Sequence, residues 1–349
     1  MRTRPVHRNG QTGIGLVEIM VALVVSSLLI GGLIQIFTSN KRAYALQGEM
    51  SRLQENGRFA FHFLMKDLRM AGYFGCRNNV PVQNNLDTTD ADYNFSYDFA
   101  AAPLMAYHAT DSGGWSPALP TLIANLNPLP GNDIVLIRSA EASSVSLTPP
   151  YQSGDSSSAS IHLEHGHGLT KGDIAVVSDC SQATVVQITG EGGGGTSASV
   201  TNNTGGSVAP GNATSALGYN YGEGAIIAKI QSDVFYVAEN VAGAPALFRR
   251  NLSAGENAEE LVAGVDQMSL RYGLDTNGDR ELDLYAEAPT AAQLPEIMAV
   301  RVSMLLRGER QNLVDGEQNF VLDGEVISRD DGRLRYVVSS TATVRNRAP

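Results

Sequence analysis

Cysteine is nearly absent from this chain: Cys76 and Cys180 are the only two in 349 residues. That excludes a disulfide-knit scaffold and a cysteine-rich metal fold. Basic residues are scarce relative to acids, 25 Lys and Arg against 36 Asp and Glu, for a net charge of −11. Such a surface repels phosphates, so direct nucleic-acid binding is not expected. The sequence has no G-x-S-x-G, no P-loop and no H-E-x-x-H; Ser156 to Ser158 sit in a polar stretch that implies no base, and no enzyme is expected. Internal repeats are lacking too. One local absence is more informative than any of these, because no charge occurs from Ile19 to Ile34.

Sixteen uncharged residues beginning just after Glu18 make an apolar run close to the roughly 20 needed to cross a bilayer. Glu18 sits at its start. An acid near a membrane core costs roughly 2.5–3.5 kcal/mol on insertion scales, which makes it a functional candidate. Before the run comes a short leader with Arg2, Arg4 and Arg8 and no acid, ending at Gly13. Its basic character predicts a cytoplasmic amino terminus and a remainder outside the cytoplasm. Without the three arginines the side-chain balance becomes −14. An ordinary secretory signal would be shorter and followed by a small-residue cleavage site, which Gln35 to Asn40 does not offer; a plain anchor would need neither Glu18 nor Gly13.

Helical periodicity continues past the run. Leu46, Met50, Leu53, Gly57, Ala60, Leu64, Leu68 and Ala71 recur at steps of three and four, with most charges off that stripe. The spacing predicts one long helix, weak at Gly31-Gly32 and Asn56-Gly57 and ending by Gly72 or Gly75. Residues 77–130 read as an irregular excursion, and 190–222 as a second irregular, Gly- and Ser-rich insertion. Strands are predicted at Asp133–Arg138, Gly172–Cys180, Ala183–Ile188, Ala225–Ile230, Ser232–Ala238, Leu247–Asn251, Val265–Tyr272, Ile297–Leu306 and Leu334–Val344. A long helix followed by antiparallel strands is an α+β pattern.

The amino terminus resembles the class III signal of type IV prepilins. In that family a basic leader ends in Gly, a peptidase cuts after it, the new terminus is methylated, and the fifth mature residue is Glu. The resemblance implies cleavage between Gly13 and Ile14, with Glu18 as the assembly acid, although the mature chain opens Ile14-Gly15 where the family usually has Phe-Thr. Further on, the stretch from Phe63 to Cys76, Gly172-Asp173 with Ser178-Asp179-Cys180, Tyr272 to Asp279 and the closing Thr343 to Arg347 resemble PilW-type minor pilins. The implied layout is pilin-like: leader 1–13, transmembrane and filament-core helix 14–37, amphipathic continuation 38–75 and a β-rich periplasmic domain 76–349. The implied role is that of a minor pilin in a tip or priming complex that supports pilus assembly. Its partners would be other minor pilins, the major pilin, the prepilin peptidase and methyltransferase, and the inner-membrane assembly platform. Two alternatives stay open: a type II secretion minor pseudopilin of the J type, and a membrane-anchored adhesin or calcium-dependent binding module.

In an oxidising periplasm Cys76 and Cys180 are expected to form one bridge, the alternative being two buried thiols. The turn from Asp275 to Asp283 places oxygen side chains at Asp275, Asn277, Asp279, Glu281 and Asp283, a spacing that can gather calcium ligands. It is not an EF-hand, since Arg280 and Ala286 stand where that loop needs Gly and Glu. The competing reading is a solvated hairpin turn around Asn277-Gly278. His162, His165 and His167 with Glu164 suggest at most a partly exposed loop.

Overall fold

The computed structural model describes residues 15–75, 80–99, 102–155, 158–192, 198–205 and 208–345. Helix α1 runs unbroken from Leu16 to Met70. Neither glycine pair interrupts it. At Gly57 the missing side chain has a use, because a Cβ there would lie 3.0 Å from Leu306 Cδ1 and 3.2 Å from Val338 Cγ1. The helix can therefore approach the sheet closely. It ends before Gly72, which takes a positive φ and donates its N–H to Arg138 O at 2.8 Å.

The main strands of the first sheet are β1 (Val82–Asn84), β2 (Leu104–Ala109), β3 (Ile134–Ala140), β4 (Ile174–Ser178), β5 (Ala183–Gln187), β6 (Ile226–Glu239), β7 (Pro245–Asn251) and β8 (Glu259–Ala263), and the two-residue strand Val145–Ser146 also pairs with β6. They follow the order β1-β5-β4-β6-β3-β2, with Trp115–Ser116 at the far edge, while β7 pairs with β6 and β8. Among the described residues of this sheet, only the short β1–β5 pair is parallel. A second sheet contains β9 (Val265–Leu274), β10 (Leu284–Ala286), β11 (Ile297–Arg307) and β14 (Arg335–Thr343), in the order β10-β9-β11-β14. A separate hairpin, β12 (Gln318–Leu322) and β13 (Glu325–Arg329), covers Leu305 and Val337 on that sheet's outer face. The fold is α+β, a long helix on mostly antiparallel strands.

The main core forms where the second half of α1 meets both sheets. Leu53, Ala60, Leu64 and Leu68 pack with Val135, Phe235 and Leu247 of the first sheet and with Leu270, Val302 and Met304 of the second. Burying each of these side chains other than Ala60 contributes roughly 1.5–3 kcal/mol. The helix and β14 advance together: Gly57 rests against Val338, and twelve residues on, Arg69 O accepts the Arg345 N–H at 3.2 Å. Asn132 and Asp133 sew the sheets to each other. Asn132 Oδ1 accepts the Met268 N–H at 2.8 Å, and Asp133 Oδ2 accepts the Leu270 N–H at 2.7 Å.

The structure departs from the sequence reading in several places. Glu49, placed off the apolar stripe, is buried, with Arg310 Nε at 3.3 Å and Arg52 Nη1 at 4.0 Å from Oε1. Gly308 makes room for it, since a Cβ there would meet Glu49 Oε2 at 2.9 Å. The 77–130 stretch is not irregular throughout, because it supplies β1 and β2, and β2 is fixed by pairing with β3. The 190–222 stretch contains strands Gly190–Gly192 and Ala198–Thr201, which form a small sheet with Ser160–Leu163. Buried amides hold this region: Asn212 Nδ2 donates to Gln187 O and Asn202 Nδ2 to Ser215 O. Finally, β6 is one strand of 14 residues, not two.

Candidate functional site

The first half of α1 is the most exposed apolar surface among the described residues. Every residue from Leu16 to Phe37 is exposed, with Leu28 at 72% and Phe37 at 70%. The helix is long and apolar enough to cross a membrane, its best window having a mean hydropathy of 2.4. A surface of this kind is stable only when covered by lipid or by other helices. Glu18 lies in its first turn, where its N–H donates to Gly15 O at 3.0 Å. A carboxylate there suits the partial positive charge of the helix start. Gly13 and Ile14 lie outside the described residues.

Cys180 sits with a positive φ in the turn between β4 and β5 and is disulfide-bonded. Cys76 lies outside the described residues.

The turn from Asp275 to Asp283 caps the β9–β10 hairpin and is closed by its own side chains. Asp275 accepts the Gly278 N–H at 2.7 Å and the Arg280 N–H at 3.0 Å. Asn277 Oδ1 accepts the Asp279 N–H, and Asp279 Oδ1 the Glu281 N–H, each at 2.8 Å. Asp283 Oδ2 accepts both the hydroxyl and the N–H of Thr276 at 2.7 Å, and these bonds hold its carboxyl below the usual range. Among the described residues no group of three or more His, Cys, Asp or Glu side chains converges as a metal site. His162 lies in Ser160–Leu163, and His167 Nδ1 accepts the Leu169 N–H at 3.1 Å.

Two clusters of titratable side chains escaped the sequence reading because their partners are remote. On α1, Asp67 lies 3.7 Å from Arg249 Nη1, while Arg249 Nη2 bonds Glu259 at 2.7 Å. The Asp67 carboxyl is pushed up, mainly by burial. Facing it from β6, Asp233 is pushed up to about 7, first by burial and then by the Asp67 charge. At the seam between the sheets, His108 Nδ1 bonds Asp133 Oδ1 at 3.0 Å, and that bond raises the imidazole. No regularity in the sequence marks either contact.

A long amino-terminal helix, bare over its first half and packed by its second half on a mostly antiparallel β-rich domain, is the layout that the resemblance to pilins leads one to expect. Residues 234–346, from the second half of β6 to just past β14, match the family model described as type IV pilus-assembly protein W. A type IV-like pilin from Thermus thermophilus is similar in structure over 85% of this chain and 98% of its own, at 11% identity and a TM-score of 0.31, too distant to bear on function. No curated relative matches the chain.

Proposed function

We propose that the chain is a minor pilin of a type IV pilus. It waits in the inner membrane with its head in the periplasm, then joins other minor pilins in a tip or priming complex beneath which major pilin is added. The observation that carries this is the bare apolar half of α1 with Glu18 at its start, on a chain whose residues 234–346 match the PilW family model. The chain is a substrate of the prepilin peptidase and methyltransferase rather than a catalyst. The rival role, a J-type pseudopilin of type II secretion, predicts a secretion defect on deletion where this reading predicts loss of pili.

Processing tests the membrane half. Mass spectrometry of the purified chain should find the mature terminus at Ile14, methylated, with Gly13 removed. A chain still beginning at Met1, or cut beyond Phe37, would refute the reading. We propose Cys76 as the partner of Cys180, so the same non-reduced sample should yield the two linked peptides and no free thiol.

The Asp275 turn is proposed to bind calcium weakly, with a Kd on the order of 10⁻⁴–10⁻³ M, as in extracellular modules. Each oxygen that now accepts one N–H keeps a lone pair, and a cation would draw Asp275, Asn277, Asp279, Glu281 and Asp283 together while relieving the repulsion among the four acids. Millimolar calcium should therefore raise the melting temperature, and Asp275→Ala with Asp279→Ala should abolish the rise. No shift in the wild type, or a full shift in the double variant, would make the turn a plain solvated hairpin end.

A further inference from the structure

Strand β14 closes the second sheet on one side. It pairs with β11, and among the described residues no strand lies beyond it. The phase of its ladder follows from the bonds at its ends. Val344 N–H donates to Met298 O, and Gly308 N–H donates to Leu334 O. Even-numbered residues therefore turn their backbone groups towards β11, and Val337, Ser339, Thr341 and Thr343 turn theirs to the open edge. Three of these four are exposed, and Val337 is half-buried.

Natural sheets blunt such edges with charge, proline, bulges or short strands. The other edges of the two large sheets conform. β1 and β10 have three residues each, Trp115–Ser116 has two, and β8 carries exposed Glu259 and Glu260. β14 has nine residues, and Tyr336 to Val344 contains no charge, proline or glycine.

Beside this edge the core is incompletely covered: Phe61, Tyr336 and Val338 are only half-buried against it. The adjoining helix flank is basic, although the whole chain is acidic. At about 100° per residue, Arg58, His62 and Arg69 fall on the side of α1 opposite Asn56 and Asp67, which reach Ala263 and Arg249. Arg58 lies 4.0 Å from the exposed Glu55, and Arg345 adds a further cation just past β14.

We propose that the open edge of β14 takes an extended segment of a different protein chain as an added strand. The backbone groups of Val337, Ser339, Thr341 and Thr343 would pair with it. Its side chains facing α1 would be apolar, covering Phe61, Tyr336 and Val338, and interspersed with acids that meet Arg58, Arg69 and Arg345. A second copy is a poor occupant, since a two-fold contact through this edge sets the same arginines against one another. The proposal does not depend on the chain working in a pilus.

The test uses the full chain in detergent and a fluorescent peptide of β14's own nine-residue length, with threonine at odd positions and valine and glutamate alternating at even ones. The expected result is saturable binding, at least about tenfold weaker when lysine replaces glutamate. The fully N-methylated peptide, which cannot pair, should not bind. Thr341→Pro removes an outward N–H without touching the β11 ladder and should abolish binding. Arg58→Glu with Arg69→Glu should reverse the preference between the glutamate and lysine peptides. Absence of binding, or equal binding by the N-methylated peptide to the wild type, overturns the proposal whether or not the proline variant folds. A wild-type dimer that Thr341→Pro dissolves would assign the edge to a second copy and overturn the occupant.

Discussion

Glu18→Ala will leave the chain in the inner membrane at wild-type amount and remove it from sheared filaments. The substitution deletes an acid from an exposed apolar helix, so insertion becomes easier, by an amount on the order of 2.5–3.5 kcal/mol if the carboxylate sits at the bilayer centre and less near the interface. Assembly moves the other way. In a water-poor filament core the carboxylate would face the terminal ammonium of a neighbouring subunit, and removing one partner of a buried pair typically costs about 3–5 kcal/mol. That corresponds to a loss of more than a hundredfold in incorporation. Immunoblots of membranes and of sheared pili separate the two effects. Equal recovery of mutant and wild type in the pilus fraction would show that Glu18 has no part in assembly.

The second large effect concerns stability. Asp233 is buried in β6 opposite Asp67, and its carboxyl is pushed up to about 7, mainly by burial. Its usual value is 3.8, so the folded chain holds this proton more tightly than the unfolded chain does. Below about pH 4 the group is protonated in both states and exacts no penalty. Between about pH 4 and pH 7 the unfolded state loses its proton first, and stability falls as pH rises. Above about pH 7 the penalty is complete, on the order of 2–4 kcal/mol. Asp233→Asn, which keeps the shape without the charge, should match the wild type near pH 4 and melt at a clearly higher temperature at pH 8. Arg249 would still have Asp67 and Glu259. A difference that stays constant from pH 4 to pH 8, or a variant less stable at pH 8, would contradict this account.

What could be read in advance was what depends on neighbours in sequence. The uncharged run, the apolar stripe of α1, the Val- and Ile-rich strands β3, β4 and β5, the alternating β9 and the apolar β11 all show a local period or a local composition. Glu18 was visible for the same reason, as a lone acid at the start of an apolar run. What escaped depends on partners from far along the chain. Gln231 stood between two predicted strands, yet β6 runs through it because Ser96 O accepts the Ser232 hydroxyl, 136 residues away, and Asp233 is enclosed by α1 and β7. Glu49 looked like a surface residue until Gly308 and Arg310 came to meet it. The β12–β13 hairpin did carry a local signal, Asp323-Gly324, whose two positive φ angles fit a tight two-residue turn. It went unread because Gln318 and Asn319 obscure the strand before it.

The shared direction of α1 and β14 has a mechanical side. Tension on the first half of the helix enters the head along the line in which helix and strand both run. The contacts from Gly57 on Val338 to Arg69 on Arg345 then bear it side by side, in shear. A hairpin pulled from its open end gives way one bond at a time. This joint must slip along its whole length before any part of it yields, so the head is fastened most firmly in the direction in which its own stalk would pull.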